Sequence, residues 1–195
     1  MTHTLIAQAR CESPLGPLTL AATADGLAGA WFDGQRHHPG ALDAPADPRQ
    51  RFIALAREQL AAYFDGSLQR FSVPLDLRGT AFQRAVWQAL LAIAAGGTRT
   101  YAQVAQAAGA PAAVRAAGAA IGRNPVSIIV PCHRVLGRDG SLTGYAGGLP
   151  RKQALLQHER ALGAVMSAAQ ESMPNEQRPT ARGSVQWQAL QPSTS

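Results

Sequence analysis

A chain of 195 residues, 46% apolar and 15% charged, is long enough for one good-sized core or two small domains and too apolar for a disordered polymer. With 18 basic against 12 acidic residues its formal net charge is +6, which suits an anionic partner such as nucleic acid. No unbroken apolar run of membrane-spanning length and no basic-then-apolar leader is present, so neither a membrane partner nor a secretory signal is expected and the default address is the cytoplasm.

The first 35 residues read as short strands separated by tight turns: "TLIAQARCE", the turn "SPLG", "PLTLAAT", "ADG" and "LAGAWFD". This is the pattern of a small antiparallel meander. "RHHPGALDAPADP" is a loop by composition. "RQRFIALAREQLAAYFDG" then places Phe52, Leu55, Ala56, Leu60 and Phe64 near helical spacing, with Gly66 as its stop. No chemistry is legible in this first third, and it reads as a supporting domain.

From residue 80 the helix signals sharpen. Thr80 and Gln83 form a capping box for a helix carrying Phe82, Val86, Leu90 and Ile93 on one face, with its end expected at Gly96 and Gly97. Thr100 and Gln103 form a second box, opening "YAQVAQAAG", which Gly109 closes. Pro111 suits the first turn of a third helix, "AAVRAAGAAIG". Two short helices joined by "GAP" make a helix-turn-helix pattern. The second of them is poor in base-reading side chains, since Arg115 is its only long polar residue. That suits docking without sequence specificity, with Arg115 available for insertion into a groove.

"SIIVPCHRV" reads as a buried strand, Ile128 to Val130, delivering Cys132 at its end behind the stiffening Pro131. A buried cysteine is usually only a small hydrophobe. Here a histidine follows at once, and a base held by a third group is what converts a thiol into a nucleophile. Strand geometry would point Cys132 and His133 to opposite faces, so the expectation is a turn with a bridging water. Glu159, near the end of a helix opened by Pro150, is the candidate orienter of His133. Between them "GRDG" reads as a hairpin turn, and "TGYAGG" offers glycine backbone to a flat ligand with Tyr145 as a stacking wall. Cys11 and Cys132 are the only cysteines and no CxxC is present, so no disulfide framework and no zinc site is expected. Beyond about residue 163 the chain is rich in Pro, Ser and Gln and reads as a flexible tail, with room for a short docked helix around Trp187.

"PCHRV", with "RNP" upstream, "GYAGG" following and "LLQHE" closing, resembles the O6-alkylguanine-DNA alkyltransferases, the methylated-DNA–protein-cysteine methyltransferases, in their bacterial stand-alone form. The likeness runs from about residue 80 to 160, and more loosely over the first 75. It implies an α/β, two-domain fold: a small N-terminal antiparallel sheet plus helix over 1–76, then a mostly helical domain over 77–163 that binds DNA and accepts the alkyl group, with a helix-turn-helix and a short active-site strand and hairpin. The remaining 164–195 is the tail.

The resemblance makes Cys132 the alkyl acceptor, His133 its water-mediated base, Glu159 the orienter and Asn124 the brace of the turn before the active-site strand. Tyr101 would meet the target phosphate and protonate guanine N3, and Arg115 would fill the gap left by the flipped nucleotide. Thr100, Ala102, Gly118 and Arg138 would join them on DNA, while Tyr145, Ala146, Lys152 and Val135 would line the base pocket. The implied activity is direct-reversal repair of O6-alkylguanine and O4-alkylthymine in double-stranded DNA by a monomer acting once, without cofactor or metal; cooperative binding along DNA stays open. Ala146 stands where some relatives have serine, and Ala154 where a tryptophan is common. An alkyltransferase-like protein that binds the lesion without transfer is the alternative, and Cys132 counts against it because the cysteine is replaced in such proteins. A transcriptional regulator lacks here the extra cysteine-rich domain, and a cysteine hydrolase would leave the helix-turn-helix idle.

Overall fold

The computed structural model describes residues 4–160, so the expected tail and the helix around Trp187 lie outside the described residues. Three antiparallel strands, β1 (Ala7–Cys11), β2 (Leu18–Ala22) and β3 (Leu27–Phe32), pair in sequence order with Cys11 opposite Leu18 and Leu18 opposite Phe32. Helix α1 (Arg51–Phe64) packs on this sheet. Its buried stripe is Phe52, Ile53, Ala56, Gln59, Leu60 and Tyr63, so Ile53 and Tyr63 face inward where the sequence pointed to Leu55 and Phe64. Gln50 caps its first turn, and Gly66 leaves it with φ +87°, a conformation in which glycine bears no Cβ penalty.

All six residues of β3 are buried although the strand lies at the edge of its sheet. The reason is that its free edge is used twice. Leu27 exchanges hydrogen bonds with the 74–76 segment, and Ala30 N–H donates to Pro125 O (2.9 Å) while Ser127 N–H donates to Ala30 O (2.8 Å). Covering an edge in this way removes an aggregation template. It also fastens the chain just before Cys132 to the N-terminal sheet, and one continuous core runs from Ala7 to Leu155 across both halves of the sequence.

Both capping boxes form, opening α2 (Ala81–Leu91) at Thr80 and α3 (Tyr101–Ala107) at Thr100. Two helix ends differ from expectation. α2 stops at Leu91, short of the glycines, and a turn through Gly96 (φ +78°) follows. α4 (Val114–Gly122) begins three residues after Pro111, which sits in the connecting turn instead of the first helical turn. The α3–α4 pair is the expected helix-turn-helix, and Trp87 of α2 ties it down by donating Nε1–H to Ala120 O at 2.9 Å. Among the described residues no helix is long and apolar enough to cross a membrane.

The expected strand over Ile128–Val130 does not form. Ile129 N–H bonds back to Ser127 O (2.9 Å) around Ile128 at φ +72°, and Cys132 N–H bonds back to Val130 O (2.8 Å) around Pro131 at φ −83°, ψ 63°. These are two γ-turns in quick succession. The second fits the ring-locked φ of proline. An apolar run looks the same whether it is a buried strand or a buried turn, which is why periodicity did not separate them. Cys132–Arg134 form a 3-10 turn, and the chain then enters β5 (Val135–Leu136). β5 pairs parallel with β4 (Arg99–Thr100). The 137–140 turn forms, with Gly137 N–H on Ser141 O, but no strand returns from it, so the expected hairpin is a turn followed by irregular chain. Helix α5 (Leu149–His158) closes the described fold with Pro150 in its first turn and Glu159 as its C-cap.

Candidate active site

Asn124 organises the nucleophile's turn. It is 3% exposed, its Oδ1 accepts from Val126 N–H at 3.0 Å, and its Nδ2 reaches Val130 O at 2.7 Å and Cys132 Sγ at 3.1 Å. The side chain thus supplies the bonds that a partner strand would otherwise give. A β-branched residue at positive φ such as Ile128 persists only when its surroundings over-determine it, and Asn124 with the Ala30 bridge does so. A further brace comes from the N-terminal half, where buried Gln35 accepts from Ser127 Oγ (3.0 Å) and Phe32 N–H (2.9 Å).

Cys132 is 3% exposed, and burial pushes its thiol up, against the pull of the Asn124 hydrogen bond and the nearby Lys152. The resting sulfur is therefore a protonated thiol with a hydrogen-bond donor already aimed at it. His133, fully buried beside it, places Nε2 2.9 Å from Glu159 Oε1, while its Nδ1 is buried without a protein partner. Burial lowers the imidazole below its ordinary value, against the raising effect of Glu159. A carboxylate on Nε2 selects the Nε2–H tautomer and leaves Nδ1 with its lone pair, which is the arrangement of a neutral base.

Glu159 carries four donors. Arg134 Nε donates to Oε2 at 2.8 Å; Arg134 Nη2, His133 Nε2 and Tyr63 Oη all reach Oε1 at 2.8–2.9 Å. Burial alone would push this carboxyl up, but the bonds and charges of His133 and Arg134 win and hold it well below its usual range. Arg134 also donates to Ile93 O, which anchors the clamp to the end of the α2 segment.

The residues expected on DNA gather around Tyr101. The ring of Tyr101 lies over α4, where a Cβ built on Gly118 would sit 3.6 Å from it, and Arg115 projects one turn earlier, exposed. Thr100 is the α3 cap and Ala102 is exposed beside it. Arg138 is exposed on the 137–140 turn, and no contact recorded there ties it to the others. The Tyr101 hydroxyl donates to Thr143 O at 3.0 Å. Lys152 is fully buried and its Nζ donates to the carbonyls of Val135 (2.5 Å), Thr143 (2.6 Å) and Gly144 (3.2 Å), lacing the 143–144 segment to β5. Burial draws its ammonium down to about 8.

Tyr145 has a buried hydroxyl without a protein partner, and burial raises its phenol. Gly147 lies so close to it that a Cβ there would meet Tyr145 Cε1 at 2.7 Å. Val135 is fully buried, and Ala146 is half-buried with its carbonyl accepting from Arg36 N–H at 2.8 Å. The structure therefore forms two hydrogen-bonded pairs, Asn124 with Cys132 and Glu159 with His133, on adjacent residues of one turn, and joins Tyr101 to Lys152 through Thr143 and Gly144. Sequence reasoning missed Arg134 and Tyr63. Arg134 stands in the quoted "PCHRV" and was open to notice; Tyr63 carries no local signal beyond its place three residues after Leu60.

Residues 81–161 match the family model described as 6-O-methylguanine DNA methyltransferase, DNA binding domain, and residues 2–77 match that of the ribonuclease-like domain of the same family. The chain is 50% identical over 149 residues to the methylated-DNA–protein-cysteine methyltransferase of Mycobacterium tuberculosis (strain ATCC 25618 / H37Rv), a match covering 76% of this chain and 89% of that one. It is 47% identical over 151 residues to the Methanosarcina barkeri protein of the same name, covering 76% and 93%. The crystal structure of Mycobacterium tuberculosis OGT in complex with DNA matches with a TM-score of 0.74 at 47% identity, covering 80% of this chain and 94% of that one.

Proposed function

The chain belongs to the 6-O-methylguanine DNA methyltransferase family, and from that premise we propose how its site performs direct-reversal repair. The lesions are O6-alkylguanine and O4-alkylthymine in double-stranded DNA. Residues 77–163 bind DNA and accept the alkyl group, and 1–76 support them. The protein acts as a cytoplasmic monomer, once per molecule. The observation that carries this reading is the pair of bonds on adjacent residues of one turn: Asn124 Nδ2 meets Cys132 Sγ at 3.1 Å, and Glu159 holds His133 by Nε2 at 2.9 Å.

A methyl group on guanine O6 lies inside the duplex, so the base is extruded at a cost of a few kcal/mol. Arg115, exposed on α4, takes its place in the stack, and the small residues of that helix let its backbone approach the groove. Half-buried Thr100 and Gly118 and exposed Ala102 and Arg138 add contacts to the DNA backbone that are blind to sequence. The extruded base lies against Tyr145, with Ala146 and Val135 along its edge and Lys152 holding the 143–144 carbonyls behind it.

The thiol proton passes through a water to His133 Nδ1, and Glu159 stabilises the imidazolium. Sγ attacks the methyl carbon in line, forming the S–C bond as the C–O6 bond breaks and its electron pair goes to guanine. Tyr101 gives its hydroxyl proton to N3, so the base leaves neutral; its hydroxyl must first quit Thr143 O. Asn124 Nδ2 stabilises the sulfur as charge develops there. The product is a thioether that no neighbouring group can cleave.

Intact-protein mass after incubation with a duplex carrying one O6-methylguanine tests this, beside a Cys132→Ser control. One methyl gained per chain, saturating at one equivalent and absent from the control, is expected. Retained binding with no mass gain would make the protein a lesion binder and remove the roles given to His133 and Glu159.

A further inference from the structure

Tyr63 belongs to the N-terminal helix α1, yet its hydroxyl donates to Glu159 Oε1 at 2.8 Å, the same oxygen that accepts from His133 Nε2 at 2.9 Å. The two residues lie 96 positions apart. Tyr63 is 2% exposed and held from several sides. Its ring packs against His158 (4.9 Å between centroids), Phe64 (5.2 Å) and Phe71 (5.4 Å), and its carbonyl lies 2.6 Å from His158 Nε2. Because His158 precedes Glu159 in the chain, these contacts fix tyrosine and carboxylate to one another.

We propose that Tyr63 is a positioning residue for the transfer reaction: it withdraws charge from Glu159 Oε1 and so sets how strong a base His133 is. This deepens the repair reading above and rests on it. A phenylalanine would fill the same apolar volume, as Phe64 and Phe71 do around it, so what the tyrosine adds is its bond to the carboxylate. Oε1 serves three donors at once. With the hydroxyl removed, more of the negative charge on Oε1 faces the imidazole, the imidazolium is better stabilised, and His133 protonates at a higher pH. A base already protonated cannot take the thiol proton, so transfer fails sooner on the acid side.

The groups around the pair are Tyr63 from α1; Cys132 and Arg134 from the 3-10 turn; Lys152, His158 and Glu159 from α5; and Tyr145 from the preceding segment. The charge of Arg134 opposes protonation of His133 in wild type and variant alike. Lys152, at about 8, titrates on the alkaline side. Neither produces an acid limb that depends on Tyr63.

The test is single-turnover methyl transfer from an O6-methylguanine duplex to the full chain, followed by intact mass from about pH 5 to pH 8. Wild type is compared with Tyr63→Phe, and the same pair is compared in a Glu159→Gln background. The acid limb of Tyr63→Phe should move up by about half a pH unit, which is roughly threefold slower transfer on that limb. The shift should vanish in the Glu159→Gln background, because the hydroxyl acts through the carboxylate. An unmoved limb, whatever happens to the plateau, overturns the proposal and leaves Tyr63 as packing; so does a shift that survives Glu159→Gln. If the wild type itself fails to methylate Cys132, the repair reading falls and this one falls with it.

Discussion

Replacing Asn124 with alanine removes four contacts, to Val126 N–H, Val126 O (3.3 Å), Val130 O and Cys132 Sγ, but they are not equal. Val130 O keeps the Cys132 N–H bond at 2.8 Å, and Val126 O keeps Val130 N–H at 3.0 Å. Val126 N–H has Asn124 Oδ1 as its recorded acceptor, in a residue with 0% exposure, so the variant orphans one buried donor. That orphan costs about 1–3 kcal/mol, and the lost bond to Val130 O about 1 more. A total near 3 kcal/mol is expected, because the positive-φ turn at Ile128 relaxes and recovers part of the loss. Urea unfolding at equilibrium measures it. The sulfur meanwhile loses its donor while burial still holds the thiol up, so single-turnover transfer at neutral pH should fall roughly 10²-fold, the low end for a lost oxyanion donor since sulfur accepts more weakly. The deficit should shrink as the pH is raised and the thiol ionises unaided. A loss of stability under about 1 kcal/mol would show that the orphaned donor finds another partner. A rate deficit that stayed constant with pH would show that Asn124 acts on geometry and not on the charge of the sulfur.

Two further outcomes follow from the same geometry. Gly147→Ala bears no backbone strain but drives a Cβ to 2.7 Å from Tyr145 and 3.3 Å from Phe32; Phe32 is fully buried and cannot yield, so the Tyr145 ring must. Transfer from methylated duplex should slow by an order of magnitude or more, while affinity for undamaged duplex, measured by fluorescence anisotropy, stays within about twofold. Acid should destabilise the fold in two steps. His133 has a folded value below its ordinary 6.5 and Glu159 one well below 4.5, so in both windows the unfolded chain binds more protons. Stability present above pH 6.5 is thus lost first as His133 titrates in the unfolded chain, then further below 4.5 through Glu159. Urea midpoints taken against pH check this, and Glu159→Gln should abolish the lower step; a midpoint flat from neutrality into acid would contradict the ion-pair account.

By itself the sequence determined the local pieces. The three strands, both capping boxes, the stops at Gly66 and Gly109 and the helix opened at Pro150 are written in residues within a few positions of one another, where turn chemistry and capping act over short range. The proposed chemical centre was legible too, because "PCHRV" and "LLQHE" hold Cys132, His133 and Glu159, residue types that few other tasks require together. The strand expected before Cys132 failed because apolar content reports burial and not conformation. What makes the segment a pair of γ-turns is the Asn124 side chain and the borrowed edge of β3, both non-local in effect. Only the tertiary structure decided that the N-terminal half takes part in the site. It does so through Gln35 on Ser127, the Ala30 bridge and the Tyr63 hydroxyl on Glu159, contacts spanning some 90 residues or more that no pattern along the chain encodes. A hydrogen bond needs its partners within about 3 Å, and that proximity exists only once both halves share one core.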